Sequence, residues 1–334
     1  MKRTPSIQIW RYKAALFSLF IFCFHSTVWA EAPMVKTQAP GYYRMTLGQF
    51  EVTALYDGSV ELDTRLLKNS TEKEVQALLA RMFVGGQKMQ TSVNTYLINT
   101  GSKLVMVDAG AGKLFGPTLG KAIKSLKASG YDTAQVDAVV ITHMHGDHVG
   151  GLLDDAGKPA FPNAVVYISK AENDFWLSPA SEEKAPAEFK KFFKMARDMA
   201  APYIALGKWK TFGNGDSPVP GIRAVPIPGH TPGHTAYEIS DGKKSLLITG
   251  DMVHCMAVQF PRPEVAMSFD TDPKQAVAVR LALFKSAAER KVFIAGMHLP
   301  FPGIGHIRQE KKNVYTFVPV EYEPIRENAK GTAY

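Results

Sequence analysis

The chain has 334 residues, of which 46% are hydrophobic and 21% are charged. That much apolar content lets a chain of this length bury a large core, and it excludes an intrinsically disordered protein. The sequence contains no internal repeat, low-complexity tract or long run of like charges. A single domain is therefore the simplest organisation. The formal net charge at pH 7 is +8.

The N-terminal segment accounts for part of this charge. Residues 1–30 contain four basic residues and no acidic ones, together with the apolar stretch 14–23, and they end at Ala30 like a signal-peptidase site. This pattern is typical of a secretory signal peptide. We predict that residues 1–30 are removed and that the mature chain, residues 31–334, is periplasmic or secreted. A stable membrane anchor is not expected, because the apolar stretch is too short to span a bilayer comfortably.

Removal of this segment would lower the net charge from +8 to +4. The remaining basic residues are scattered rather than clustered, so we expect no nucleic-acid partner. The mature chain keeps one cysteine, Cys255, and therefore has no internal disulfide. We expect Cys255 to be a buried structural thiol rather than a nucleophile or a metal ligand.

The apolar pattern predicts alternating strands and helices in both halves of the chain. In the first half, strands are predicted at residues 42–56, 93–107, 136–141 and 164–168, and helices at 71–81 and 116–128. A largely helical segment, residues 171–206, connects the halves. In the second half, strands are predicted at residues 222–227, 235–239, 245–248 and 292–297, and a helix at 272–289.

One loop contains a dense cluster of potential metal ligands. Three histidines and one aspartate follow directly after the predicted strand 136–141: His143, His145, Asp147 and His148. Neutral imidazole and carboxylate are the ligands that zinc and similar divalent metals prefer. Histidines at positions i and i+2 can bind one ion, whereas the Asp and His at i+4 and i+5 turn toward a second. Polar residues that merely decorate a loop seldom have this spacing, so the motif predicts a metal site.

Four residues of one loop cannot complete two coordination spheres, so further ligands are needed. His230, Asp251 and His298 each follow a predicted strand in the second half of the chain. Functional residues on sheet scaffolds usually lie where a strand ends and a loop begins. These three residues are therefore the candidates, and their repeated placement is hard to explain by packing alone.

The combination of these motifs resembles the metallo-β-lactamase superfamily of dinuclear hydrolases. Four further blocks resemble the methyl parathion hydrolases within that superfamily: residues 41–45, 114–120, 174–178 and 301–308. The similarity extends from residue 39 to residue 322, nearly the whole mature chain. It implies an α/β fold of the αββα type in a single domain, with two sheets face to face, helices outside and the metals at one edge.

The resemblance also implies how seven residues share two divalent metal ions. One ion would be held by His143, His145 and His230, and the other by Asp147, His148 and His298. Asp251 would bridge the two ions together with a water or hydroxide, and Asp108 would support the ligand loop without binding metal. Zinc is the expected metal, although manganese, cobalt, iron or cadmium would suit the same nitrogen and oxygen ligands.

Around the metals, the resemblance implies an aromatic substrate pocket. Phe115, Trp176 and Phe193 match the members of such a wall, although packing of an amphipathic helix would also explain aromatic residues in this region. His254 lies three residues after Asp251, where the resembled hydrolases carry an apolar residue, so it would change the pocket lining.

The function that the resemblance implies is hydrolysis of aryl phosphotriesters, and/or of aryl esters and lactones, by hydroxide held between the metals. The partner would be a small apolar or aromatic substrate, and the resemblance allows a homodimer. A lactonase or arylesterase without phosphotriesterase activity is the nearest alternative. A β-lactamase also fits the ligand loop, but those enzymes do not use a bridging aspartate at the position of Asp251. A non-catalytic metal-binding protein would not need seven ligands including a bridge.

Overall fold

The computed structural model describes Met1 and residues 32–213, 215–241 and 244–325. The chain divides into two units, Met1–Gln38 and Ala39–Tyr334. Residues 32–38 of the first unit form no helix or strand. Apart from Met1, the predicted signal peptide lies outside the described residues, so its cleavage stays a prediction.

Most strands in the first half of the larger unit belong to one sheet. The strands are β1 (Tyr42–Leu47), β2 (Phe50–Asp63), β3 (Leu67–Lys68), β4 (Lys88–Asn99), β5 (Leu104–Val107), β6 (Ala138–Val140), β7 (Val165–Ser169) and β8 (Trp209–Phe212). The helices are α1 (Glu72–Ala80), α2 (Ala122–Ala128), α3 (Gly146–Val149), α4 (Lys170–Trp176), α5 (Pro179–Lys184) and α6 (Lys190–Ala205).

The second half supplies another sheet and one long helix. Its strands are β9 (Ile222–Pro226), β10 (Thr235–Ser240), β11 (Ser245–Ile248), β12 (Ala266–Met267), β13 (Phe293–Ala295), β14 (Ile304–Lys311) and β15 (Val314–Pro319). Its helices are α7 (Met256–Gln259) and α8 (Pro273–Arg290). In α8, the Asp272 side chain accepts a hydrogen bond from the Gln275 N–H and Pro273 occupies the first turn, as the sequence predicted.

Within the described residues, the strands form two large sheets. The first has the order β1-β2-β4-β5-β6-β7-β8 and the second the order β15-β14-β13-β11-β10-β9, while β12 pairs with β3 alone. Strands β5 to β8 run parallel, and so do β11 and β13. Because parallel strands end at the same edge, the loops after β5 and β6 lie together, and so do those after β11 and β13.

Apolar side chains join these elements into four layers. One buried cluster lies between the sheets and combines side chains of both, such as Val107 and Ile248. A second packs the first sheet against α2 and α6, and a third packs the second sheet against α8. This arrangement is the αββα sandwich that the resemblance implied, so the predicted fold class is confirmed.

One predicted element is wrong in its extent. A helix was expected over residues 116–128, but α2 begins only at Ala122. Gly116 and Gly120 have φ angles of 90° and 79°, which a right-handed helix cannot contain. In addition, the buried Asp57 carboxylate accepts hydrogen bonds from the N–H groups of Gly120 and Ala122 and holds the chain in a turn. Residues 116–121 are therefore a loop tied to the first sheet.

Two further expectations concern the thiol and the membrane. Cys255 is buried and free, and burial raises the pKa of its thiol to about 11, so it is a neutral structural thiol as predicted. No helix in the described part of the chain combines the length and the apolar character needed to cross a membrane.

Helix α8 contributes a buried charge that organises the segment after Asp251. The Arg280 side chain is only 1% exposed. Its Nε donates to the Met252 carbonyl at 2.7 Å, and its Nη1 donates to the carbonyls of Pro263 and Val265 at 2.8 Å each. The guanidinium thus satisfies three carbonyls from two separate loops.

We expect Arg280→Met to lower the free energy of unfolding by about 3 kcal/mol, because two buried carbonyls would lose their donor and a third would keep only the Gln259 amide. Equilibrium denaturation of both proteins in the same metal state measures the difference. Lys274→Met on the exposed start of the same helix is the matched control, with an expected change within about 0.5 kcal/mol. A loss below about 1 kcal/mol for Arg280→Met would contradict this role.

Candidate metal centre

Seven side chains from four loops converge at one edge of the two sheets. The first group consists of His143, His145, His230 and Asp251, and the second group of Asp147, His148, Asp251 and His298. Within each group, one ligand atom per residue lies within 4.8 Å of every other. The structure therefore brings together all seven residues that the sequence predicted as ligands, divided in the predicted way.

The local conformation explains how one loop serves both groups. The chain leaves β6 without helical structure, and His145 has extended backbone angles of φ −66° and ψ 152°. Residues two apart in extended chain point to the same side, which places His143 and His145 in the first group. The short helix α3 begins directly afterwards and turns Asp147 and His148 toward the second group.

Asp251 is the residue that belongs to both groups. Its Oδ2 lies 3.4 Å from His143 Nε2 and 3.2 Å from His230 Nε2. Its Oδ1 lies 3.0 Å from His148 Nε2 and 3.1 Å from His298 Nε2. Each carboxylate oxygen thus faces the histidines of one group, as a bridging ligand requires.

The donor atoms fit divalent metal ions. His148 Nε2 and Asp251 Oδ1 are buried without a hydrogen-bond partner, which ordinarily costs about 1–3 kcal/mol per group. His145 Nδ1 lies 3.0 Å from His143 Nε2 and 3.1 Å from His230 Nε2, so three imidazole nitrogens point at one place. A cation in each group would satisfy all of these atoms, and imidazole with carboxylate is a donor set typical of zinc.

Three ligand histidines are held by hydrogen bonds at their other ring nitrogen. His148 Nδ1 lies 2.7 Å from Asp108 Oδ2, His230 Nδ1 lies 2.8 Å from Asp270 Oδ1, and His298 Nδ1 lies 2.8 Å from the Ser92 carbonyl oxygen. Because each of these oxygens accepts, Nδ1 carries the proton and the Nε2 lone pair is left for a metal.

Asp108 has the supporting place that was expected of it, and His234 supports the cluster as well. Asp108 also accepts hydrogen bonds from the backbone N–H and the hydroxyl of Thr142, at 2.7 Å each, and so anchors the ligand loop. His234 Nε2 accepts the Asp251 N–H at 3.1 Å. This contact leaves no room for a side chain at Gly250, because an added Cβ would lie 2.4 Å from His234 Nε2.

Two carboxylates that support the converging histidines, Asp270 and Glu172, have no clear signal in the sequence. Asp270 follows the two-residue strand β12, which no periodicity reveals. Glu172 lies three residues after Ser169, a spacing typical of a helix cap, so its sequence context suggests a purely local role. The structure instead gives Glu172 contacts to both ligand loops of the first group.

The electrostatics of the metal-free cluster divide its histidines. Burial lowers the pKa values of His143 and His145 well below the usual range. For His148 and His298 burial acts in the same direction, but the neighbouring carboxylates, Asp251 foremost, together outweigh it and raise their pKa values. Burial also lowers the pKa of His230, but the neighbouring carboxylates, Asp251 foremost, outweigh this effect and raise that pKa to about 9. The cluster therefore holds protons that a metal would have to displace.

A cavity of about 280 Å³ opens directly onto both ligand groups. It is lined by His145, Gly146, Asp147, Asp251, His254 and His298 at the metal end and by Val60, Leu62, Leu66, Phe115, Leu119, Phe189, Phe192 and Phe269 elsewhere. The expected pocket residues Phe115 and His254 are among them. Phe189, Phe192 and Phe269 were not predicted, although Phe189 and Phe192 belong to the aromatic-rich segment between the halves.

Trp176 and Phe193, which were expected on the pocket wall, are not among the residues that line this cavity. Both are nearly fully buried and belong to the core behind the first group. The Trp176 ring lies 4.7 Å from the ring of Phe193 and 5.4 Å from that of His145, measured between centroids. These two residues therefore support a ligand from behind, whereas Phe192 on the same helix as Phe193 reaches the cavity.

His254 is the polar exception on the cavity wall. Its Nε2 lies 3.0 Å from Asp251 Oδ2, and its Nδ1 is buried without a hydrogen-bond partner. The ring is stacked on His298 at 4.8 Å and lies 5.0 Å from the ring of Phe269. Burial lowers the pKa of His254 to about 4, so the imidazole is neutral at pH 7.

Comparisons with known proteins agree with this geometry. The chain is 39% identical to a hydrolase described as AbOPH of the beta-lactamase superfamily, with a TM-score of 0.83 over 86% of this chain and 100% of the other. It is 27% identical to AidC, a dizinc quorum-quenching lactonase solved with the product N-hexanoyl-L-homoserine, with a TM-score of 0.78 over 85% of this chain and 99% of the other.

A curated relative gives a shorter match. The chain is 29% identical over 179 residues to a probable metallo-hydrolase of Mycobacterium tuberculosis, covering 46% of this chain and 54% of the relative. It thus spans about half the length of the curated relatives it matches first. The profile of the Metallo-beta-lactamase superfamily matches residues 90–307, a region that contains all seven converging residues. The chain therefore belongs to the metallo-β-lactamase superfamily.

Proposed function

We propose that this protein is a metal-dependent hydrolase that acts on small, neutral and mainly apolar lactones and esters at a dinuclear metal centre. The observation that carries the proposal is the apolar cavity that ends on the two ligand groups joined by Asp251. The 27% identity to a dizinc lactonase over nearly the whole of that protein supports it.

We infer that the first group would hold one divalent ion and the second group the other, with Asp251 between them. Two such ions would supply a water activated near neutral pH and a Lewis acid for a carbonyl or phosphoryl oxygen. Zinc is the metal we propose for both groups, since the ligands are imidazole and carboxylate. The surrounding side chains hold these ligands and exclude bulk water from the reacting bond.

The charge of the cavity lining favours neutral substrates. Among the described residues that line the cavity, none is Lys or Arg, whereas Asp147 and Asp251 carry negative charge. A substrate with its own carboxylate, such as a penicillin or cephalosporin, would meet no placed counter-charge and would have to be desolvated. The lining therefore disfavours the β-lactamase alternative, as does the bridging position of Asp251.

His254 favours lactones and esters over phosphotriesters. It places a neutral imidazole, whose Nδ1 is buried without a hydrogen-bond partner, on a wall where the other residues outside the two ligand groups are aromatic, aliphatic or glycine. A polar group there suits a substrate with a polar acyl or ring atom better than a dialkyl aryl phosphotriester. The cavity volume of about 280 Å³ also lies near the lower limit of ordinary ligand pockets.

Aryl phosphotriesters are the second candidate substrates. Phe115, Phe189, Phe192 and Phe269 give the cavity an aromatic lining that would hold an aryl leaving group. The sequence blocks that resemble the methyl parathion hydrolases point to the same substrate. A leaving group such as a nitrophenolate needs no general acid, so the side chains present would suffice.

Our first functional prediction concerns metal uptake. The metal-free protein should bind about two zinc ions per chain. Binding at pH 7.5 should release protons, because the pKa of His230 is about 9 while a ligand must be deprotonated. The apparent affinity should therefore rise with pH up to about pH 9. Calorimetry in two buffers of different ionisation enthalpy measures the proton release.

Two variants refine the test of the metal centre. Asp251→Ala should cost more metal and more activity than Asp108→Ala, because only the former is proposed to bridge the ions. Fewer than two ions per chain, or an affinity independent of pH between 7 and 9, would refute the two-metal assignment.

The second prediction concerns substrate preference. In a kcat/KM panel, an acyl homoserine lactone and an aryl ester should exceed a dialkyl aryl phosphotriester, and β-lactams should be hydrolysed weakly or not at all. His254→Leu should raise the ratio of phosphotriester to lactone activity by about tenfold, because it makes the wall apolar. His306→Leu on β14, outside the cavity lining, should leave the ratio unchanged. β-Lactams ahead of every other substrate would defeat the cavity argument.

The third prediction concerns location. We propose that residues 1–30 act as an export signal and that the mature protein is periplasmic or secreted, because basic residues, an apolar stretch and a small residue follow in the order such signals have. N-terminal sequencing of the protein from its native host should give a mature chain that starts at or near Glu31. A cytosolic protein that retains Met1 would be the opposite result.

A further inference from the structure

Glu172 is a fully buried carboxylate whose hydrogen bonds go to two separate ligand loops. Its Oε1 accepts the Met144 N–H at 2.9 Å and the Trp176 indole N–H at 2.6 Å. Its Oε2 accepts the Thr231 hydroxyl at 2.8 Å and the Gly233 N–H at 2.9 Å. Four donors thus surround one carboxylate that has no exposed surface.

These four donors belong to the loops that carry the histidines of the first group or to a side chain that packs against one of them. Met144 lies between His143 and His145 in the chain, and the Trp176 ring packs against the His145 ring at 5.4 Å. Thr231 directly follows His230. The loop that carries His230 also approaches α4 closely, because an added Cβ at Gly233 would lie 2.1 Å from the backbone nitrogen of Glu172.

The second group is supported by other residues. His148 is held by Asp108, and His298 is held by the Ser92 carbonyl. None of the hydrogen bonds described for Glu172 reaches either histidine or a residue next to it in the chain. The described hydrogen bonds of Glu172 therefore serve the first group alone, whereas Asp108 holds His148 directly and also holds Thr142, whose hydroxyl lies 3.1 Å from His143 Nδ1.

We propose that Glu172 is a positioning residue that fixes the geometry of His143, His145 and His230, and with it the selective retention of the metal ion of the first group. This inference rests on the proposed dinuclear centre. Glu172 touches no ligand atom itself and acts by holding the two loops and the indole that set the three imidazoles in place. Loss of such outer contacts typically weakens metal binding by about 10–100-fold.

Glu172→Gln changes this network in a defined way. The Met144 and Trp176 groups can only donate, so the amide oxygen must stay on their side. The amide NH₂ then faces Thr231, whose hydroxyl can turn and accept, and the Gly233 N–H, which cannot. The variant should therefore release the His230 loop while the Met144 and Trp176 contacts persist.

Asp108→Asn is the matched variant for the second group. An asparagine would keep its oxygen toward the Thr142 N–H and turn its NH₂ toward His148 Nδ1. The imidazole would then carry its proton on Nε2, the nitrogen that faces Asp251, and could not bind metal there. This variant should lose the other ion.

The experiment uses the full protein loaded with cadmium-113. NMR of the wild type should give two resonances, one for each group. After dialysis against a chelator, Glu172→Gln should lose one resonance and Asp108→Asn the other, and metal analysis should fall to about one ion per chain in each. Loss of the same resonance in both variants, or equal loss of both resonances in Glu172→Gln, would overturn the proposal.

Thr231→Val is a milder variant that tests the same proposal if Glu172→Gln does not fold. It removes one of the four donors, so it should release the same ion as Glu172→Gln, several-fold faster than the wild type. If Thr231→Val and a folded Glu172→Gln both hold the two ions as tightly as the wild type, the proposal is wrong.

The result is separable from the proposed function. A wild type that binds two ions but hydrolyses no lactone or ester would refute the substrate and leave the role of Glu172 standing. If the wild type is active but the Glu172→Gln variant keeps both resonances, the role of Glu172 is refuted and the proposed function stands.

Discussion

The shared carboxylate of Asp251 is the contact on which the rest of the site depends. It is almost completely buried, and an isolated carboxylate in that position would cost several kcal/mol. Histidines from three other loops face its two oxygens at 3.0–3.4 Å. Because these loops leave strands of both sheets, the two sheets must end at one edge for the cluster to exist. The Asp251 cluster therefore requires the sandwich.

Negative charge accumulates around this cluster beyond the ligands themselves. Asp147 and Asp251 belong to the ligand groups, and Asp108, Asp270 and Glu172 lie directly behind them. In the metal-free protein, the neighbouring carboxylates outweigh the effect of burial and raise the pKa values of His148, His230 and His298, and this favours the protonated forms of these histidines. Two divalent cations would replace those protons and balance most of the five carboxylates, so folding, protonation and metal binding are linked.

The sequence predicted the ligands better than the cavity, for a physical reason. Each ligand follows an apolar strand, and strand ends are visible in a pattern of hydrophobic residues. The cavity wall depends instead on how α6 is rotated, since Phe192 faces the cavity and Phe193, one residue later, faces the core. Glu172 was missed because its spacing from Ser169 is that of a helix cap. Periodicity reveals an element, but tertiary packing decides which of its side chains meets a substrate.

The aromatic wall of the cavity affects the electrostatic interactions at its charged end. Apolar side chains around the two ligand groups exclude water and lower the local dielectric constant, which strengthens every electrostatic interaction of a bound cation with a developing negative charge. The same low dielectric constant penalises any substrate that brings its own charge without a partner. Under the proposed function, reactivity and selectivity for neutral substrates therefore have one cause. Among the described residues that line the cavity, His254 is the only polar one outside the ligand groups. Its imidazole is neutral at pH 7, so it adds polarity to the wall without a charge that could pair with a substrate carboxylate.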